Sequence, residues 1–392
     1  MTTSQTPAFL ELSDSIVFEG RQGYFFKNGN GISNFDAGKG LIRHYDMNGA
    51  LVDSIRIDPT YLLKEKGNFH PALFWAHREN LILLNTVGYT LDFFSKTGHY
   101  LFSRKLDLKH KGSKYFIGDE QPPFYPLATE NTLLLPVHRT WKGYEGSALE
   151  FMEGGRTRYE QPGIIGEFDL EGNLVKVFGL YDSVYRQGKL LTYLDEYSLG
   201  SIGQDSIFVS FQLGDKIAVY HKGVEKEPIA SRGAYFNRES KDLFAITSRE
   251  EIMEDNPKYP IETPHYFDCV VVGNYLVRTY AIAIQDTVRF TDQELEVKKK
   301  WARGELKGCK IKTKHDYEQG FEYRSKPCFV QIFDLKQPQF PVYDGQIPLG
   351  FPMCLGMRGK DEFLFTSYFR PEHGQAVNQV IYYFRLKTIV QH

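Results

Sequence analysis

Three stretches decide the fold of this chain: Ile42-Arg-His-Tyr45-Asp-Met-Asn-Gly49-Ala-Leu51-Val52, Leu91-Asp-Phe-Phe94-Ser-Lys-Thr-Gly98-His-Tyr100-Leu101 and Ile165-Gly-Glu-Phe168-Asp-Leu-Glu-Gly172-Asn-Leu174-Val175. Each places an aliphatic residue three positions before an aromatic. A polar residue, two variable positions and a glycine follow, and then an apolar pair. This is one hairpin used repeatedly. Recurrence along a whole chain marks a repeat architecture of small sheets and is read before any local motif.

The aromatic with its aliphatic partner returns at Tyr220 (Ile217), Phe333 (Val330) and Phe384 (Ile381), with weaker turns behind it. Upstream of most copies an Asn or Asp closely precedes a dense apolar run: Asn80 before 81–84, Asn131 before 133–135, Asp205 before 207–209, Asn274 before 276–277 and Asp361 before 363–365. These are tight turns between two buried strands, where Asn, Asp and Gly tolerate positive φ. Each unit then has an inner strand, a second strand, a third carrying the aromatic and an outer strand. Units of four antiparallel strands repeated about an axis make a β-propeller, so the expectation is all-β with six blades.

The third-strand aromatics lie 49, 74, 52, 113 and 51 residues apart. A seventh blade in the longest interval would need about eight strands. Strand patterns there are confined to 267–272, 275–284 and 328–333, with a weaker one at 243–247, so one blade with an insertion fits better. The expected organisation is a flexible leader over 1–10 and one propeller domain over 11–392, with insertions near 138–163 and 285–327. Both insertions fall between second and third strands. Thr291-Asp-Gln-Glu294 is a capping box that predicts a short helix over 292–303, and Ser248 offers a similar start for another.

Fifteen per cent aromatics and 42% apolar residues supply a large, strand-favouring core. With 47 Lys plus Arg against 49 Asp plus Glu, no long-range field draws the protein to nucleic acid, and no nucleic-acid partner is expected. Eight of the residues from Lys298 to Lys314 are basic, a run read as a solvated face. No apolar run is long enough to span a bilayer. Cys269 and Cys354 sit in apolar runs and read as buried thiols. Cys309 and Cys328 would pair as a disulfide only in an exported chain.

Two groups of residues could carry chemistry. The first insertion, with His138, Arg139, Trp141, Arg156 and Tyr159, combines aromatic plates with guanidinium groups, which suits sugars, carboxylates or a partner's loop. A self-packing surface loop uses the same residues. Trp301, in the second insertion, belongs with this set. Positions just before inner strands or just after second strands ring the channel mouth: His70, Asn85, His138, Gln212, His265 and Arg370. Convergent polar groups at a channel mouth are a default ligand site. No nucleophile elbow, phosphate loop or zinc-binding His-Glu-x-x-His is present.

The turns Tyr45-Asp-Met-Asn-Gly49, Phe168-Asp-Leu-Glu-Gly172 and Phe333-Asp-Leu-Lys336 resemble those of the six-bladed propellers abundant in Bacteroidota. In length and layout the chain is similar to an uncharacterised envelope lipoprotein group among them. The resemblance covers nearly the whole chain on generic blade motifs and carries over no catalytic residue. It implies a periplasmic or cell-surface protein, with a lipid anchor that this sequence does not contain; a cytoplasmic protein is the alternative. The function expected is non-enzymatic: a binding or scaffolding propeller engaging a protein, peptide or glycan through its insertion-bearing face, with no cofactor. The alternative is a calcium-dependent hydrolase or lactonase with Glu, Asn and Asp ligands on the channel wall.

Overall fold

A computed structural model describes residues 8–21, 24–28, 31–36, 39–64, 71–85, 88–117, 127–129, 131–139, 159, 162–186, 190–191, 197–203, 205–221, 223–230, 247–248, 265–281, 328–338, 341–350, 352–367 and 377–388. The chain opens with β1 (Ala8–Arg21), whose partner comes last. Blade 1 is β2 (Tyr24–Asn28), β3 (Gly31–Asp36), β4 (Leu41–Asp46) and β5 (Leu51–Arg56). A helix, α1 (Pro59–Lys64), leads to blade 2, formed by β6 (Pro71–His77), β7 (Asn80–Asn85), β8 (Thr90–Ser95) and β9 (Tyr100–Lys105).

Blade 3 has a divided inner strand. β11 (Ser113–Ile117), after the short β10 (Lys109–His110), and β12 (Leu127–Ala128) both pair with β13 (Thr132–Arg139), which continues to β14 (Ile165–Asp169) and β15 (Leu174–Phe178). After β16 (Leu190–Leu191), blade 4 is β17 (Tyr197–Ile202), β18 (Ser206–Phe211), β19 (Lys216–His221) and β20 (Val224–Ala230). After β21 (Thr247–Ser248), blade 5 is β22 (His265–Val272), β23 (Tyr275–Ala281), β24 (Cys328–Asp334) and β25 (Pro341–Ile347). Blade 6 is β26 (Pro352–Arg358), β27 (Glu362–Ser367), β28 (Val377–Thr388) and, on its outer edge, β1. The interval between Tyr220 and Phe333 thus holds one blade, and the propeller has six.

The repeat signature is the inter-blade packing code. All six aromatics and all six aliphatics lie on third strands and are buried. Successive strand side chains alternate in direction, so a spacing of three puts the two on opposite faces. The aromatic then packs on the preceding blade and the aliphatic on the following one. Phe94 joins Phe35 and Ile42 of blade 1, whereas Leu91 joins Leu133 and Phe168 of blade 3. Tyr220 joins Ile165 of blade 3, and Ile217 joins Leu276 and Phe333 of blade 5. Val330 meets Phe384 between blades 5 and 6, and Ile381 meets Tyr45 between blades 6 and 1.

The turn glycines act between blades as well. Gly49, Gly98 and Gly172 have φ of 79°, 88° and 90°, a region that side chains disfavour. A Cβ on Gly172 would lie 2.6 Å from the carbonyl oxygen of Lys105 on blade 2, and one on Gly98 would run into the carbonyl of Arg56 on blade 1. The same turns bond the neighbouring chain, with Asp58 N–H donating to Gly98 O at 2.9 Å and Asp107 N–H to Gly172 O at 2.8 Å. The polar residue after the aromatic closes the turn. Asp46 Oδ1 accepts the N–H groups of Asn48 and Ala50 at 2.8 and 2.9 Å.

Closure joins the chain ends. β1 pairs antiparallel with β28 from Ala8 opposite Thr388 to Arg21 opposite Val377. Strand β1 begins at Ala8, inside the segment expected as a leader; residues 1–7 lie outside the described residues. A charge network crosses all four strands. Buried Glu362 receives Arg358 Nε at 2.6 Å, Arg385 Nη2 at 2.7 Å and the Ser13 hydroxyl at 2.8 Å, while Arg358 also reaches Asp14 at 3.4 Å. Tyr383, beneath Arg358, donates to Met47 O of blade 1 at 2.9 Å.

The helix expected over 292–303, the start at Glu251 and the Cys309 thiol lie outside the described residues; Ser248 is in β21. Helix α1 was not expected. Its signal is Asp58-Pro59, an N-cap followed by proline at the first helical position, and Asp58 Oδ1 accepts the Thr60 N–H at 2.8 Å. Cys269 and Cys354 are buried as expected.

Replacing Gly98 by Ala should cost about 2 kcal/mol or more, from the left-handed backbone plus the collision with blade 1. Gly112 also has positive φ, 78°, with nothing near its would-be Cβ, so Gly112→Ala should cost only about 1 kcal/mol. Urea unfolding of both variants checks the difference, and equal losses would remove the inter-blade role.

Candidate functional site

In a meander, the second-to-third-strand connections and the links between blades leave at one end of the ring. Residues 140–164 and 282–327, the segments read as insertions from sequence, come between β13 and β14 and between β23 and β24 in chain order. A third long connection, 231–264, runs from β20 to β22. Sequence spacing had merged it with the second. β16 pairs with β21, so the link from blade 3 to blade 4 meets the link from blade 4 to blade 5. Elaboration therefore concentrates on blades 3 to 5.

Between blades 3 and 4 lies a buried aromatic floor. Tyr159, in the first insertion, is buried edge-on against Tyr181 (5.0 Å between ring centres, 77°) and beside Tyr185 (5.4 Å). Tyr181 continues to Phe211 at the end of β18 (5.5 Å), and the Tyr185 hydroxyl accepts the Leu213 N–H at 2.9 Å. On the blade 3 side, the His138 ring sits 5.0 Å from Phe116, with Nδ1 3.4 Å from the Tyr181 hydroxyl. Arg139, the next residue, is exposed.

On the blade 5 side, Gln212 and His265 come together. The Tyr266 N–H donates to Gln212 O at 2.8 Å across the blade boundary, and His265 begins the same strand. Both side chains are buried, and Gln212 Oε1 accepts no hydrogen bond among the described residues. Thus His138 and Tyr159 meet through Tyr181, which packs on Phe211, while the Gln212 and His265 segments are joined across the blade 4–5 boundary by the backbone. Asn85 occupies the corresponding end of β7 on blade 2 and is buried. His70, Trp141, Arg156, Trp301 and Arg370 lie outside the described residues.

Sequence reasoning missed Arg278, which fixes the floor. This arginine, on β23, is fully buried and donates to the carbonyls of Phe211 (3.2 Å), Asp215 (3.2 Å) and Gly214. Its guanidinium carbon sits over the Tyr266 ring, 3.1 Å from the ring centre. Burial pushes its pKa down, opposed first by Tyr266, yet a guanidinium stays charged in proteins. Burial likewise pushes the Asp215 carboxyl up, and Arg278 pulls it back. The only signal in the sequence was a lone Arg inside the apolar run Tyr275-Leu-Val-Arg278-Thr-Tyr-Ala281.

A different cluster looks catalytic at first sight. Ser33, His44 and Asp53 are directly opposite one another on β3, β4 and β5, with Ser33 Oγ 2.7 Å from His44 Nδ1. Ser33 has no exposed surface, so no substrate reaches it. Ser206 and His221 repeat the pair at 3.2 Å on blade 4, which makes it a cross-strand contact. Among the described residues no three His, Cys, Asp or Glu side chains gather as a metal site.

The chain is similar in fold to a DUF4221 protein. That protein, from Bacteroides vulgatus, superposes with a TM-score of 0.59 at 10% identity, over 98% of this chain and all of its own. A putative exported protein of Bacteroides fragilis aligns over 98% of this chain and 97% of its own, at 10% identity and a TM-score of 0.46. A PQQ-bound aldose sugar dehydrogenase of Streptomyces coelicolor aligns over 97% of this chain and 99% of its own, at 8% identity and 0.41. At such identities the likeness speaks to fold alone. No family model and no curated protein matches the sequence.

Arg278→Met should destabilise the protein by about 3 kcal/mol, because it strips the bonds from buried carbonyls. Arg278→Lys should recover little of this, since one ammonium cannot reproduce the planar fork. Thermal melts of both variants measure it. Wild-type stability in Arg278→Met would show that the guanidinium does not hold the 212–215 connection.

Proposed function

We propose that this chain is a non-enzymatic binding propeller that engages a protein, peptide or glycan on the end of the ring bearing the long connections. The observation that supports this most is the pair of half-buried His138 and exposed Arg139 at the end of β13, seated on a buried aromatic layer of Tyr181 and Phe211 whose following connection Arg278 braces. The buried aromatic layer makes this end of the scaffold rigid, and the His138 imidazole supplies a polar contact for a ligand there. Arg139, exposed at its edge, adds a fork for carboxylates. Three long connections around a rigid scaffold are the arrangement in which loops carry recognition. A periplasmic or cell-surface setting follows from the same reading, with glycans and exported proteins as the available partners.

Glycan and peptide arrays probed with the full chain test this. Wild type should retain at least one ligand class, and His138→Ala with Arg139→Ala should weaken it about tenfold, the worth of one or two good polar contacts. Lys96→Ala with Lys360→Ala, in turns at the other end, should leave it unchanged. Loss that follows the Lys96 and Lys360 pair, or turnover of a retained compound, would overturn the proposal.

A further inference from the structure

The channel-lining strands of blades 5 and 6 are both irregular where they approach each other. The register of β22 slips between Tyr266 and Asp268, leaving Phe267 extra, and that of β26 slips between Cys354 and Gly356, leaving Leu355 extra. Bulges disrupt the ladder locally and re-aim side chains, and they are over-represented next to functional sites. Here the amides beside the slips are satisfied by side chains. The Asp268 N–H donates to Thr279 Oγ1 at 3.1 Å, and the Cys354 N–H crosses the blade boundary to Asp268 Oδ2 at 2.9 Å.

We propose that Asp268 is a proton-controlled latch between blades 5 and 6, holding the channel-side junction most firmly in acid and loosening it toward neutral pH. The surroundings decide the direction. On its own strand the ionisable neighbours are His265, Tyr266 and Cys269; Cys269 is itself pushed up to about 12 by burial. On β23 the cation is Arg278, committed to the carbonyls of Phe211, Gly214 and Asp215 on blade 4. On β26 the groups are Cys354 and, at the far end, Arg358, held by Glu362 and Asp14. β17 brings Tyr197, whose hydroxyl donates to Ile164 O at 2.6 Å, and β18 brings no ionisable side chain.

Burial therefore dominates, lifting the Asp268 carboxyl to about 7 against the pull of the Cys354 and Cys269 amides. A carboxyl raised in the closed state takes up a proton that the opened state gives away. The closed junction is favoured fully below the ordinary carboxylate range, and that advantage is lost as pH rises from about 4 to about 7.

Amide hydrogen exchange of the full chain between pH 4.5 and 6.5, corrected for intrinsic rates, reads the opening directly. The Cys354 amide should open up to about tenfold more per pH unit, one proton being released per opening. Asp268→Asn should flatten the slope, and the Asp58 amide, bonded to Gly98 between blades 1 and 2, should show none in either protein. An equal slope in wild type and variant would overturn the latch. Should Asp268→Asn fail to fold, carbon NMR of the wild-type carboxyl decides: a midpoint near 7 supports the proposal, and one near 4 contradicts it.

Discussion

The odd spacing between the third-strand aromatic and its aliphatic partner is the constraint on which the rest of the structure rests. Three positions along a strand reverse the side-chain direction, so each third strand must be covered on both faces by apolar surface. One sheet cannot supply two covers; two neighbouring blades can. Repeating that demand in every blade leaves no outward face for any third strand, and the sheets have to close into a ring. The sixth inter-blade layer, where Ile381 and Tyr383 meet Ile32 and Tyr45, is completed by Phe18 of β1. Glu362, Arg358, Arg385, Ser13 and Asp14 reinforce that point with charge-assisted bonds.

These features explain which parts of the molecule were legible in sequence. The twelve signature positions were visible because burial on two faces admits only large apolar residues, and the turn glycines because φ and neighbour contact both exclude a side chain. The role of β1 was hidden, since Phe9, Leu12 and Val17 point outward from an outer strand and carry no blade signature. The divided inner strand of blade 3 escaped because β11 and β12 are separated by residues 118–126. At the candidate site, His138, Gln212 and His265 were legible from their place at strand ends. Arg278 was not, because a charged residue in an apolar run is recognised as buried only once its carbonyl partners are known.

Two carboxyls, Glu362 within blade 6 and Asp268 facing that blade from blade 5, respond to pH in opposite senses. Glu362 is held below its ordinary range, first by the Arg358 hydrogen bond. Its stabilisation is present above about 4.5 and lost as the medium becomes more acid. Asp268, across the blade, is favoured by acid. The Glu362 network within blade 6 is thus fully charged above about 4.5, whereas the contact from Asp268 to blade 6 eases as pH rises from there toward about 7.

The measurement that bears most directly on the ring is removal of β1. A chain starting at residue 22 should lose cooperative thermal unfolding, and adding a peptide of residues 8–21 should restore it, because the peptide supplies the outer strand of blade 6 and shields the sixth layer. A truncated chain that melts like the full protein, or one the peptide leaves unchanged, would contradict closure by the two ends of the chain.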